Sequence, residues 1–357
     1  MTWQTDTGRF SLGDLSLQSG GVLPGAMLTW KTYGALSPAK DNVVVYPTSY
    51  TAQHTDQEWL IGPDKVLDPT RWFIVTPDMF GNGLSSSPSN TPGYPALVTT
   101  ADNVWAQRRL LSELFGVTRI AAVYAFSMGA QQAYHWAALF PDAVERAIVV
   151  CGSARTSVHN KVFLLSLLTT LEAAPEHLGG GRFSSEPKAA LRAFARIYAG
   201  WAMSQDWYRA GLHLTALGAV DLDDFLDNKW EVGFTRRTAA DLYAQATTWL
   251  HSDISANALY EGDLVRALNA IGARILLMPS RTDLYFPVAD NAADLPHLAQ
   301  AALCPIPTFG GTARVVLSKI RRISHSSARR CRTGWNRSVL RRVSSFTSQP
   351  TRVAKLS

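Results

Sequence analysis

Short apolar runs rich in β-branched residues alternate along this chain with segments of helical spacing, and that alternation sets the expected architecture. Asn42–Pro47 (NVVVYP) and Trp72–Pro77 (WFIVTP) read as buried strands. Thr100–Phe115 reads as a helix, because Val104, Leu111, Leu114 and Phe115 fall near one face and Gly116 ends it. Arg119–Ala125 returns as a strand, Met128–Phe140 as a helix and Ala147–Val150 as the next strand. The order β-α-β-α-β predicts an α/β class fold, a mostly parallel sheet with helices on both faces. Right-handed crossovers then carry the loops that follow the strands to one edge, where such sheets place their chemistry.

From about His159 to Gly262 the alternation stops. This stretch is helical in character (FLLSLLTTLEAA, LRAFARIYAGWA) and rich in aromatics such as Trp201, Trp207, Trp230 and Trp249. It reads as a helical cap inserted into the core, whose Leu-rich and aromatic segments between Val162 and Trp249 line an apolar pocket. The alternation resumes at Ala273–Met278, followed by a helix near Val288–Leu298 and a strand at Ala301–Pro307. The expected division is 1–158 for the first part of the core, 159–265 for the cap, 266–308 for the second part of the core and 309–357 for a tail.

Composition changes the picture only at that tail. The net charge is +6, yet residues 295–357 hold 12 Lys+Arg and no acid. The body before them therefore carries 22 basic and 28 acidic side chains, or −6, against +12 for the tail. The first twenty residues show no basic start followed by an apolar stretch, so no secretory signal is expected. No apolar run approaches the roughly 20 residues that span a bilayer, and no membrane association is expected. Cys151, Cys304 and Cys331 are scattered, which suits a reducing cytoplasm better than a disulfide framework. With no HExxH, CxxC or His/Cys cluster, neither a metal nor a cofactor is expected.

The candidate chemistry begins at Tyr124–Ala130 (YAFSMGA), between a predicted strand and a predicted helix. That is the setting of a nucleophile elbow, G-x-S-x-G, in which small residues flank the serine on a tight turn. Ala125 stands for the first glycine and Gly129 keeps the second, so Ser127 is the candidate nucleophile and the Met128 N–H one oxyanion donor. The alternative is a chance Ser-x-Gly at a strand–helix junction. Asp283, in SRTDLYFP just past the strand ILLMPS, follows Ser127 in the chain order of such sites and is the candidate triad acid; the alternative is a turn or capping aspartate. A second oxyanion donor is expected after the first core strand, from the N–H of Ser49 or Tyr50. Phe80–Ser86 (FGNGLSS) follows a strand like a dinucleotide fingerprint, but Ser86 replaces the third glycine and SPSN opens no helix.

On WKTYGALSPAKDNVVVYPTSYT, IGPDKVLDPTRWFIVTPDMFGNGLSSSPSN, AFSMGAQQAYHWAALFPDAVERAIVVCGSAR and SRTDLYFP, the chain from about Gly8 to Thr308 resembles the homoserine O-acetyltransferase-like group of the α/β-hydrolase superfamily. The resemblance implies an α/β-hydrolase fold with an inserted cap. It also implies a Ser/Asp/His triad and acyl transfer from a thioester such as acetyl-CoA, or from an ester, through Ser127 to a hydroxyl or to water. The segment HNKVFLLSLL lacks the arginine by which homoserine acetyltransferases meet the amino-acid carboxylate. The quaternary state is left between monomer and homodimer.

The resemblance also places a histidine about thirty residues beyond Asp283, after one further strand. There the chain reads Thr308-Phe309-Gly310-Gly311-Thr312-Ala313-Arg314, and the family histidine is lost near Gly311/Thr312. By back-translation the segment can be encoded so that restoring one T after the Phe309 codon gives FWGHRAGGPVQDPPDIAFLRAALPDWL, with Gly-His, a Pro-marked acidic turn and an amphipathic helix; codon degeneracy leaves freedom mainly in the first base of each recovered codon. A one-base loss near codon 309 is therefore inferred, and residues 309–357 are expected to be aberrant, solvated chain. The alternative is a genuine basic tail that binds nucleic acid or an anionic surface through Arg321-Arg322, Arg329-Arg330 and Arg341-Arg342; solvated chain is preferred and nucleic acid is not the expected partner. His325 is the only histidine after the final strand and so the one remaining base candidate. Without a base, the enzyme is expected to be impaired.

Overall fold

The computed structural model describes residues 3–63, 65–308 and 310–312. Its eight strands are β1 (Thr5–Ser16), β2 (Val22–Tyr33), β3 (Val43–Val45), β4 (Phe73–Pro77), β5 (Ala122–Phe126), β6 (Arg146–Val150), β7 (Arg274–Met278) and β8 (Ala301–Leu303). They form one sheet in the order β1-β2-β4-β3-β5-β6-β7-β8. From β4 to β8 every neighbouring pair is parallel, while β1–β2 and β2–β4 are antiparallel. All of β3 and all of β4 are buried, as expected where helices cover both faces of parallel strands. This is the mostly parallel α/β sheet that the strand–helix alternation predicts, and the α/β-hydrolase fold that the resemblance implies.

Two helices fix the centre of the sheet. Helix α1 (Thr100–Arg109) starts at a capping box, in which the Thr99 hydroxyl accepts from the Asp102 N–H and the Asp102 carboxylate accepts from the Thr99 N–H. The expected single helix to Phe115 closes instead with a π turn over Leu110–Leu114. Helix α2 (Met128–Leu139) is buried at every residue, because it packs on β5, β6 and α1.

Between β6 and β7 the chain leaves the sheet pattern for a run of helices. The longest are α3 (Val158–Glu172), α4 (Lys188–Ala202) and helix Ala239–Leu250. Leu191, Phe194, Ala195, Ala199 and Ala202 are the buried positions of α4, a one-sided stripe at helical spacing. Phe163, Leu167, Phe194 and Trp249 of this cap join Val44, Tyr46, Ile74 and Tyr124 of the sheet in one apolar cluster. The Ser89 N–H and hydroxyl also donate to Asp241 of the cap, at 3.0 and 2.7 Å. The loop that resembles a dinucleotide fingerprint is thus an irregular segment holding the cap, with no helix behind it.

The tail beyond Thr312, including His325 and the three arginine pairs, lies outside the described residues; Gly310, Gly311 and Thr312 are buried, so the core runs past the expected boundary at 308. Cys151 is a free, buried thiol. Among the described residues no helix is long and apolar enough to cross a membrane.

Candidate active site

Because β3, β5, β7 and β8 run parallel, the segments after them meet at one sheet edge. Ser127 lies there, between β5 and α2, with φ 55° and ψ −129°. A non-glycine residue takes such a conformation only where its surroundings hold it. Here the Ser127 N–H donates to the Val150 carbonyl at 2.9 Å, and the Ser127 carbonyl accepts from Ala130 and Gln131 at 2.8 and 3.2 Å. Gly129 is required by close approach: a Cβ would fall 3.0 Å from the Pro47 carbonyl oxygen and 3.2 Å from that of Thr48. Ala125, where the elbow pattern has its first glycine, fits fully buried in the core.

The same approach sets the loop after β3 against α2. Gln132, wholly buried, donates to the Thr48 carbonyl at 2.8 Å and accepts from Gln107 at 2.6 Å. Thr48 in turn accepts from the Met79 N–H at 2.9 Å. The loop is thereby held beside the start of α2, where the N–H of Met128 has no intrahelical partner. Ser49 and Tyr50 line the same cavity as Ser127. Among the described residues neither of their N–H groups is engaged, so both remain candidate oxyanion donors.

Asp283 follows β7 and is buried. Its Oδ1 accepts from the Tyr285 and Phe286 N–H groups, each at 2.9 Å, and from the Thr312 hydroxyl at 2.6 Å. The turn-capping alternative is therefore part of what this carboxylate does. Its Oδ2 accepts no hydrogen bond among the described residues, although the Cys151 thiol lies beside the carboxyl. Burial raises its pKa to about 6, against the lowering effect of the Thr312 hydroxyl and the two backbone donors.

A cavity of about 600 Å³ opens over Ser127. Ser49, Tyr50 and Thr312 face it from the core, and Tyr198, Met203, Trp230 and Phe234 from the cap. At its rim Asp56 pairs with Arg236 at 3.1 Å and Arg237 at 3.3 Å, joining core to cap. The aromatic cap segments thus do wall a pocket, but Trp201, Trp207 and Trp249 are not among its lining residues. No group of His, Cys, Asp or Glu among the described residues could hold a metal ion.

No described histidine reaches Asp283. His54 pairs through Nδ1 with Asp78 at 2.6 Å, and His135 is buried against the Gln131 carbonyl. His159 stacks near Trp201, and His251 bonds the Thr247 carbonyl. The His54–Asp78 pair went unread in the sequence; its 24-residue separation carries no periodic signal. What stands against Asp283 is Thr312, on the short stretch where the resemblance would place a histidine.

The α/β hydrolase fold family model matches residues 58–305. An ethyl acetate hydrolase of Pseudomonas veronii is 34% identical over 309 residues, spanning 84% of this chain and 87% of that protein. A homoserine O-acetyltransferase of Leifsonia xyli subsp. xyli is 29% identical over 330 residues, 81% of this chain and 80% of that one. The solved structure of an acetylester hydrolase from Corynebacterium glutamicum superimposes with a TM-score of 0.83 at 32% identity, covering 89% of this chain and 94% of that one. Ester hydrolases thus stand nearer than the acyltransferase that the sequence motifs bring forward. On fold, on matched length and on relatives of both kinds, this chain belongs to the α/β-hydrolase fold family of enzymes.

Proposed function

We propose that this fold is built to cleave short acyl esters, acetyl esters first, through an acyl-enzyme on Ser127 with water as acceptor. The observation that carries the reading is the strained Ser127 at the floor of a cavity whose wall also includes the residue bound to Asp283. In the reaction the Ser127 oxygen attacks the ester carbonyl carbon while a base takes its proton. The Met128 N–H, with that of Ser49 or Tyr50, receives the developing oxyanion. Collapse expels the alcohol, which takes the proton back; water then attacks the acyl-enzyme by the same route and releases the acid. Asp283 would orient the base and stabilise its cationic form.

Transfer to homoserine is the second reading. The absence of an arginine in HNKVFLLSLL and the higher identity to an ester hydrolase place it behind hydrolysis. Lacking a described base, the chain is expected to run about 10⁴–10⁶-fold below a complete triad. The test is the frame-restored protein assayed on ethyl acetate and on acetyl-CoA plus homoserine, each with Ser127→Ala as control. Ser127-dependent release of acetate supports the reading. Homoserine-dependent release of CoA at a higher rate would replace it with the second, and activity on neither would refute both.

A further inference from the structure

The cavity over Ser127 has a floor and a mouth of different chemistry. Ser127, Tyr50 and Phe234 line it and are buried, whereas Lys229 and Arg236 line it and are exposed. Trp59 and Trp230, both half-buried, line it between these extremes. At about 600 Å³ the space suits a drug-sized ligand, and the acetyl group of an ester needs only the floor. Whatever fills the rest meets aromatic walls and a cationic opening.

The opening is cationic because of how the cap pairs its acids. Lys229 lies on the π turn Leu226–Glu231. The acids of that turn, Asp227 and Glu231, are held by α4: Arg196 pairs with them at 2.6 and 3.4 Å, and Arg192 with each at 3.4 Å. Asp224, whose charge Lys229 also feels, accepts from the Val220 N–H at 2.8 Å and from the Asn228 amide at 2.6 Å. Among the described residues Lys229 itself forms no ion pair. Arg236 pairs with Asp56 Oδ1 at 3.1 Å, but Oδ2 of the same carboxylate accepts from Arg237 at 3.3 Å and from the Gln53 N–H at 2.9 Å. Arg236 can therefore turn to a ligand without leaving Asp56 unpaired. Arg237 is not free to do so, because its side chain is mostly buried and its Nε donates to the Thr51 carbonyl.

We propose that Lys229 and Arg236 bind the anionic end of an elongated substrate: an acetyl ester whose alcohol part packs on Trp59, Trp230 and Phe234 and ends in a carboxylate. This deepens the reading of Ser127 given above and rests on it for the ester. Each exposed cation contributes a modest ion pair, about threefold in affinity, and the two act on one carboxylate. Their charge at the opening also draws an anionic ester inward, an effect that salt screens. An ester as small and neutral as ethyl acetate touches neither residue once its acetyl group is at Ser127.

The experiment uses the full chain with Ser127→Ala, which blocks turnover, and measures binding of 3-(4-acetoxyphenyl)propanoate and of its neutral amide by isothermal titration calorimetry. The carboxylate should bind about tenfold more tightly than the amide in low salt and lose most of that advantage in about 0.5 M NaCl. Lys229→Gln and Arg236→Gln should each remove about threefold of the preference and together abolish it, with amide binding unchanged. Far-UV circular dichroism establishes that each variant is folded. Equal affinity for acid and amide, or a preference that survives both substitutions, would overturn the inference. Free CoA is the competing anion: CoA bound more tightly than the carboxylate, through the same two residues, would assign the mouth to a thioester donor and overturn it as well. The frame-restored protein keeps the two claims apart. Ser127-dependent acetate release from ethyl acetate, with no carboxylate preference in binding, sinks the inference and leaves the proposed function standing. A carboxylate preference, with no ester hydrolysed through Ser127 by the restored protein, refutes the proposed function and with it the ester part of this inference.

Discussion

Asp283→Asn isolates what it costs this fold to hold an ionised carboxylate with no cationic partner among the described residues. Burial raises the folded-state pKa of Asp283 from 3.8 to about 6, so between those values the folded chain keeps a proton that the unfolded chain has released. The resulting stabilisation is whole below about pH 4 and is lost as the pH rises through 6. A shift of about 2 units corresponds to about 3 kcal/mol. The asparagine does not titrate, and any fixed cost of its buried NH₂ is the same at every pH. The stability difference between wild type and variant should therefore move by about 2 kcal/mol, in favour of the variant, from pH 4 to pH 7. Asp294, whose pKa burial likewise raises to about 6, is present in both proteins and drops out of the difference. Urea unfolding at a series of pH values, followed by the fluorescence of the 11 tryptophans, measures it. Wild-type and variant curves that stay parallel across this range would refute the reasoning.

Three further outcomes follow from the same contacts. Gly129→Ala sets a methyl against two backbone carbonyls that cannot rotate away and should cost about 1–3 kcal/mol, seen as a lower urea midpoint. Gln132→Leu strands the Thr48 carbonyl and the Gln107 amide; it should cost about 1–3 kcal/mol and, in the frame-restored protein, lower kcat more than it raises KM. Phe234→Ala removes a ring that faces the cavity and packs on Tyr198 at 4.8 Å. In the frame-restored protein it should shift kcat/KM about tenfold from acetyl toward butyryl esters, measured by direct competition.

Much of the fold was legible because central parallel strands are apolar on both faces. Val43–Val45 and Phe73–Pro77 are continuous runs for that reason. The elbow was legible because its geometry demands small residues at fixed offsets from Ser127. The strands β1 and β2 were not. Thr5–Ser16 is largely exposed and polar, and its place comes from pairing with β2, with register shifts around Gly13, none of which a local pattern records. Strand β8 was overread to Pro307: regular pairing ends at Leu303, Pro305 has no N–H to donate, and contact resumes only at the isolated Ser280–Ile306 bridge. Of the candidate site, Ser127 and Asp283 carried motif signals. Thr312 carried none of its own, since a threonine after two glycines has no chemical signature until a carboxylate is found beside it.

The central claim is that Ser127 is the acyl-accepting nucleophile of this fold. Its most direct measurement is rapid acid quench of the frame-restored protein during turnover of an activated acetyl ester, followed by peptide mass spectrometry. The account predicts one acetyl group on the peptide that carries Ser127, absent from unaltered chain treated for the same time and absent after Ser127→Ala. Turnover that persists without Ser127, or an acetyl group carried by another residue, would contradict it.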